Sequence, residues 1–409
     1  MWRTAFVIVA LVAVSAGAAS VEKIDLLAIE CEVVGIGDEA VTVETDNSRQ
    51  TIACEDVSEI VLVPDEYAPQ SPMSKRGNTV LVTACGDVVS VTLGELDEGV
   101  LSFSSPLTGD CRLPMDEIMA IYMPGKNQQP DEIARSCREL GADSGAGDRI
   151  LVSQDDGNLL PVEGALLTIK NEPGDRRKTQ KIITFTWQDV DRQMDAENVR
   201  AILLADVDRV ETAPAGLIVG KDSSTIGFSS VSLDDQQVKL ESPALGTITV
   251  AREAIAAIRF FSKRVTYLTD LQPAEVTTYG MVTDSMPHRL GRSVGGGPIV
   301  LDGVTYSTGL GLHSFTELTY ELDGQFSLFV AIVGIDDSVR PNGDATLEIL
   351  RKGGDSKEPI SLTLTGEDRA ATIRCDLVGV TRLTIRAGLG EDELGVADHV
   401  DLGGARLIK

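Results

Sequence analysis

Aromatic residues are scarce in this chain, at 4% of 409 residues, with two tryptophans and three histidines. Basic residues are also short. Lys and Arg number 36 against 63 Asp and Glu, for a formal net charge of −27. That balance excludes direct nucleic-acid binding, which needs a basic face to displace counterions, and docking on an anionic membrane surface. Beyond the first twenty residues no stretch approaches the 18 or so apolar residues of a membrane-spanning helix. Enzyme signatures are missing: there is no G-x-S-x-G elbow, no G-x-x-x-x-G-K-[ST] loop, no H-E-x-x-H pair and no nucleotide fingerprint after a strand. Gly309-Leu310-Gly311 lacks both the third glycine and the helix. No C-x-x-C or Cys/His cluster appears, so zinc ligation is not indicated and no cofactor is implied. What is present is 43% hydrophobic residues, the composition of a folded protein,. At one domain per about 100–200 residues the length allows two to four domains.

The N-terminus reads as an export signal. Arg3 precedes an apolar run from Ala5 to Val14, and Ala16-Gly17-Ala18 forms an A-x-A cleavage site,. A signal peptide over residues 1–18, a mature start at Ala19 and a secreted or periplasmic location in a bacterial cell envelope are therefore expected, with no membrane attachment after cleavage. Export permits disulfides. Cys31 and Cys54, then Cys85 and Cys111, fall two to a segment, and local pairing is the simplest of about 15 connectivities open to six cysteines,. Each bridge would contribute roughly 3–4 kcal/mol by chain entropy. Cys137 and Cys375 are read as free or buried.

Internal repeats organise the first two thirds. Aligned without gaps, Ser105-Pro106 matches Ser242-Pro243, Gly109 matches Gly246, Leu113 matches Val250, Asp116 matches Glu253, and Ile118 matches Ile255. The same ending, an acid followed by an aliphatic and then Ile, recurs up to Ile60, Ile121, Ile202 and Ile258. Alternating runs upstream of each ending have the period of half-buried strands. The reading is four small β units, at 19–68, 76–124, 148–207 and 208–263, resembling SH3- or Sm-like β repeats. Between the second and third units, 125–147, Pro130 and Gly141 punctuate a short helix followed by a Gly-rich linker,. Asn171–Lys181 reads as a solvated hairpin tip inserted in the third unit.

From about Val265 short strands separated by turns predict a β-sandwich over residues 265–409. Its motifs, in order, are Tyr267-Leu268-x-Asp270-Leu271, Gly309-Leu310-Gly311-Leu312-His313-Ser314, Tyr320-Glu321-Leu322-Asp323-Gly324, Val333-Gly334-Ile335-Asp336-Asp337 and Ala397-Asp398-His399-x-Asp401. This series, closed by Ala405-Arg406-Leu407, resembles the NPCBM/NEW2 family, the carbohydrate-binding module associated with glycoside hydrolase family 98. The resemblance implies a galactose-binding-like jelly roll that holds a carbohydrate partner. The overall fold class expected is therefore all-β. One departure stands out: where the family carries Trp after the D-H-x-D run, this chain has Leu402. Loss of an indole platform there would remove about 1–2 kcal/mol of stacking and leave affinity of about millimolar order. Tyr267, Tyr279, Tyr306, Phe315, Tyr320, Phe326 and Phe329 are the aromatics remaining in the domain.

Candidate ligand-binding residues are His313, Asp336, Asp337, Asp398 and His399. Carboxylates accept sugar hydroxyls and imidazoles donate to them; equally, His and Asp can tie strand ends together without any ligand. A Ca²⁺ site using Asp336 and Asp337 is chemically conceivable but has no EF-hand-like spacing. The expected function is a non-catalytic exported protein binding glycans or glycosylated surface components. Two alternatives stay open: a structural or adhesion protein that contacts other exported proteins through its β repeats, and an accessory chain to a separate glycoside hydrolase.

Overall fold

The period-two patterns become antiparallel sheet in the computed structural model, which describes residues 19–45, 48–63, 71–142, 147–154, 158–173, 179–205, 207, 213–234, 236–278, 286–355 and 358–409. The expected signal peptide and Tyr279 lie outside the described residues. Of the described residues, one compact unit holds 19–21 and 29–261, and a second holds Glu22–Ala28 with Ser262–Lys409. Among the described residues the fold is all-β apart from one α-helix and several short 3-10 turns.

In the larger unit one local plan is used four times. A meander of strands ends in a 3-10 turn, at Cys54–Asp56, Met115–Glu117, Ala196–Asn198 and Arg252–Ala254, each carrying at least one acid. Each turn leads into a short strand: Val57–Val61, Ile118–Tyr122, Val199–Leu203 and Ile255–Phe260. These are the recurrent endings of the sequence. Their isoleucines, Ile60, Ile121, Ile202 and Ile258, are all buried. The reason for the recurrence is pairing: Ile60 sits opposite Ile258 and Ile121 opposite Ile202, so the last strands join the units two by two. A strand flanked on both edges and packed on a core tolerates little but aliphatics. The aligned glycines also agree, since Gly109 and Gly246 adopt φ of +70° and +67°, the left-handed turn region,.

The punctuated helix forms at Pro130–Glu139. Glu132 Oε2 reaches back to accept from the Gln129 N–H at 3.0 Å, and Gly141 follows at φ +64°. Ile133, Ala134 and Cys137 are buried, and Ile133 and Cys137 cluster with Leu151 and Ala201. In the third unit the strands Leu159–Pro173 and Thr179–Trp187 form the long hairpin, with Asn171 opposite Lys181. Residues 174–178 at its tip lie outside the described residues.

The cysteine expectation is corrected. Cys31, Cys54, Cys85 and Cys111 carry free thiols. In the first unit the register explains why: Glu32 pairs with Glu44, so Cys31 lies beside the Thr45 end of the strand Ala40–Thr45. Ala53 pairs with Ala40, so Cys54 lies beyond the opposite end. At about 3.3 Å per residue the two are separated by far more than the roughly 7 Å a disulfide spans between Cα atoms. In the second unit Cys111 donates to Thr108 Oγ1 at 3.2 Å, while Cys85 lies in a turn near the carboxylates of Asp87 and Glu117. Burial lifts the Cys31 thiol to about 11. Non-reducing peptide maps should therefore return Cys31, Cys54, Cys85 and Cys111 in separate peptides, with Cys31 the slowest of the four to alkylate at pH 8. Recovery of a Cys31–Cys54 peptide would contradict the register.

Candidate functional site

The second unit is a sandwich of two antiparallel sheets. One runs Arg289–Leu290, Gly309–His313, His399–Ile408, Leu328–Ile335, Ala371–Asp376, with Val265–Tyr267 also on His399–Ile408. The other runs Glu275–Thr278, Thr316–Glu321, Val380–Leu389, Asp344–Gly353, Ile360–Thr365. Leu310, Leu312, Phe329, Val333, Val400 and Leu402 from the first meet Leu318, Tyr320, Leu347, Ile349, Leu383 and Ile385 from the second. The sequence reading kept 19–68 together as one repeat. Glu22–Ala28 instead groups with this sandwich, because Ile24 is buried with Val330 and Ile408.

Alternation decides what faces where. Val400 and Leu402 point into the core, so His399 and Asp401 project from the sheet's other face,. His313 is the direct cross-strand partner of His399, and the two half-buried rings meet edge to face with centroids 6.1 Å apart. Asp401 lies between Gly311 on one neighbouring strand and Gly334 on the other. Gly311 has no side chain because the loop after Leu290 crosses it: a Cβ there would sit 2.4 Å from the Arg292 carbonyl oxygen and 2.5 Å from the Val294 nitrogen. Further along that loop, a Cβ on Gly295 would lie 3.4 Å from His399 Cε1. The loop thus roofs Asp401 completely and His399 partly.

All five candidate residues gather at this end of the sandwich, but they divide by what they bind. Asp336 is buried; its N–H donates to the His399 carbonyl at 2.9 Å, and its carboxylate accepts from the N–H groups of Val300 at 3.3 Å and Ser338 at 3.0 Å and from the Ser338 hydroxyl. Asp337 accepts from the Asp302 N–H at 3.1 Å and the Gly303 N–H at 2.7 Å. Arg340 bridges Asp302 and Asp337 at 2.7 and 3.4 Å, so this carboxylate fastens the hairpin turn between Ile299–Leu301 and Val304–Tyr306. Asp398, fully buried, accepts from the Asp344 N–H at 3.2 Å; burial raises its pKa. The three aspartates are occupied with backbone. The imidazoles of His313 and His399 are half-buried: His313 Nδ1 lies 3.2 Å from the Ser314 carbonyl oxygen, His399 Nδ1 is buried with no hydrogen-bond partner, and burial together with the nearby His313 lowers the His399 pKa. Among the described residues no group of three or more His, Cys, Asp or Glu side chains is arranged to hold a metal.

Asp401 belongs to the closing D-H-x-D motif but is not among the five candidate residues. The available signal was its spacing of two from His399, which on a strand means the same face. Burial and the adjoining Asp336 push the Asp401 carboxyl up to about 9. Asp336 is depressed: burial acts against ionisation, but hydrogen bonds from Asp401, Ser338 and the Val300 N–H outweigh it. The two shifts run in opposite directions because adjoining buried carboxyl groups disfavour a second negative charge.

Leu402 requires a second correction. It is fully buried, paired with Leu310 and Val333 in the core, so no side chain at this position faces a ligand and its identity does not set sugar stacking. Of the aromatics, Tyr320 and Phe329 are core, and the Tyr306 ring packs over Gly403, where a Cβ would fall 2.6 Å from it. Phe315 stands at the turn beside His313 with φ +70°, a left-handed conformation that is costly for a bulky residue. On the neighbouring loop Leu394 and Val396 are 58% and 70% exposed, and a Cβ on the intervening Gly395 would lie 3.6 Å from His313 Cε1. His313 is thus bordered by an exposed aliphatic loop rather than by an indole.

Residues 264–408 match the family model of the NPCBM/NEW2 domain, as the motif order anticipated. A stretch of 82 residues is 35% identical to a Renibacterium salmoninarum protein named "Putative endo-alpha-N-acetylgalactosaminidase", covering 17% of this chain. The chain spans 5% of the length of that curated relative. Among solved structures, the CBM51 of Clostridium perfringens GH95 in complex with methyl-galactose is 22% identical, covering 35% of this chain and 99% of that one, with a TM-score of 0.31. The CBM51-2 and INT domains of Clostridium perfringens ZmpB in complex with GlcNAc are 20% identical, covering 42% and 36%, with a TM-score of 0.32.

Two outcomes follow from this geometry. Between the ordinary carboxylate value of 3.8 and about 9, folded Asp401 holds a proton that the unfolded chain has released. Stability of the sandwich therefore falls as pH rises through that window. Asp401→Asn should flatten the slope and raise the urea midpoint at pH 8; a wild-type midpoint independent of pH from 5 to 9 would contradict the raised Asp401 pKa. Leu402→Trp should destabilise by about 1–3 kcal/mol through overpacking, read as a lower urea midpoint, whereas an unchanged midpoint would place the side chain outside the core.

Proposed function

We propose that this is an exported, non-catalytic protein whose C-terminal unit binds glycans on the surface formed by His313, His399 and the loop Gly390–Asp398. The observation that carries the reading is the match of residues 264–408, the length of the sandwich, to a carbohydrate-binding domain family. The local chemistry agrees with it. Two half-buried imidazoles offer both donors and acceptors to hydroxyls, while Phe315, Leu394 and Val396 border them with apolar surface suited to the C–H face of a sugar ring. Buried Asp336 and Asp398 hold the strand ends that present the imidazoles, which is a positioning role rather than ligand contact. Export is supported by Arg3, the apolar run and Ala16-Gly17-Ala18, and places the protein in the periplasm or outside a bacterial cell. Lack of catalysis is supported by the missing nucleophile and metal motifs; the named hydrolase relative shares only a small stretch.

A second reading, in which the sandwich is a packing module, draws on the commitment of Asp336, Asp337 and Asp398 to backbone groups. One experiment separates the two. On a glycan array followed by calorimetric titration of galactose-type sugars, the full chain should bind with a dissociation constant of about millimolar order, and His313→Ala or His399→Ala should weaken it about tenfold, or ~1.4 kcal/mol, with the urea midpoint little changed. No binding by the folded wild type would establish the packing reading.

A further inference from the structure

The end of the sandwich farthest from the histidines carries a contact that no part of the glycan reading uses. Arg406 is buried, with its side chain 5% exposed, and Glu22 Oε1 lies 3.1 Å from its NH2 group. The same NH2 donates to the Lys23 carbonyl at 3.3 Å. Two strands across, with Val330 opposite both arginines, Arg374 pairs with the Asp25 carboxylate at 2.6 Å and donates to the Asp25 carbonyl. Between these two ion pairs Ile24 is buried against Val330 and Ile408, bordered by Leu26, Val265 and Leu328. The segment turns back tightly at Leu26, φ +63°, with the Leu26 N–H on the Lys23 carbonyl and the Lys23 N–H on the Leu27 carbonyl.

We propose that Glu22–Ala28 is a latch that completes the C-terminal unit: an acid–apolar–acid clip whose carboxylates neutralise Arg406 and Arg374 and whose isoleucine plugs the sheet between them. The unit is then a two-piece domain, and the stretch 264–408 recognised by the family model is not self-sufficient. A buried guanidinium left without its counter-ion carries a large desolvation penalty, and Ile24 is the apolar cover of Val330 and Ile408. The chain leaves this unit after Ala28 and returns at Ser262, so residues 29–261 of the larger unit lie between its two pieces. Seven residues of strand, about 23 Å, separate Arg406 from His399, so the latch and the glycan surface are independent.

Hydrogen exchange of the full chain, read by mass spectrometry, tests this. Asp25→Arg and Arg374→Asp should each speed amide exchange in Glu22–Ala28 and in the strands Leu328–Ile335 and Ala371–Asp376 by about tenfold or more, and the double reversal should recover most of the protection. Glu22→Gln, which keeps the shape, should speed exchange across the last residues of His399–Ile408 severalfold. Wild-type exchange in all three single variants would overturn the latch. So would a double reversal that is no better protected than the single variants. Neither result bears on whether sugars bind.

Discussion

The strand His399–Ile408 is the element on which the C-terminal unit depends. It pairs with Leu328–Ile335 on one edge and with Gly309–His313 and Val265–Tyr267 on the other. A strand held on both edges cannot slip, because a one-residue shift would turn Val400 and Leu402 out of the core and Asp401 into it. With that register fixed, every polar group of the strand has a set place on the outer face. His399 stands at one end, Asp401 lies under the roof of the loop 292–295, and Arg406 waits at the other end for Glu22.

Burial of charge is managed differently at each of these places. Asp401 has no cation beside it and remains protonated against Asp336. The buried Arg406 guanidinium has a carboxylate brought to it from the other end of the sequence, Glu22 at 3.1 Å. Asp337 has both backbone N–H groups and the Arg340 guanidinium, while Asp398 accepts from the Asp344 N–H and has its pKa raised by burial. The imidazoles of His313 and His399 stay half-buried beside these groups. The proposed glycan surface is what remains after the fold's own polar requirements are met.

The larger unit shows the same economy with apolar residues. Its recurrent ending persists in four places because each final strand is shared between two units, Ile60 with Ile258 and Ile121 with Ile202. The intervening hairpins answer to fewer contacts and vary in length, up to the long pair Leu159–Pro173 and Thr179–Trp187.

Much of this was legible in the sequence, since it rests on short-range physics. Alternation gave the strands, Pro130 and Gly141 bounded the helix, the Ile endings marked the repeats, and the ordered motifs after Val265 pointed to the domain family that matches there. That His399 and Asp401 share one face of a strand was legible from the D-H-x-D spacing. The division of labour among the site residues was not. Which aspartates serve the backbone depends on loops that arrive from 36 and 54 residues away, Val300 at Asp336 and Asp344 at Asp398. The disulfide expectation failed for a related reason: closeness in sequence says nothing about which end of a strand each cysteine occupies. Leu402 and the latch are the clearest cases. Composition and periodicity determine that a strand runs through Leu402 and that Arg406 is charged. Only the tertiary structure decides that Leu402 faces inward, and that the counter-ion of Arg406 is Glu22, because both depend on long-range packing that no local pattern encodes.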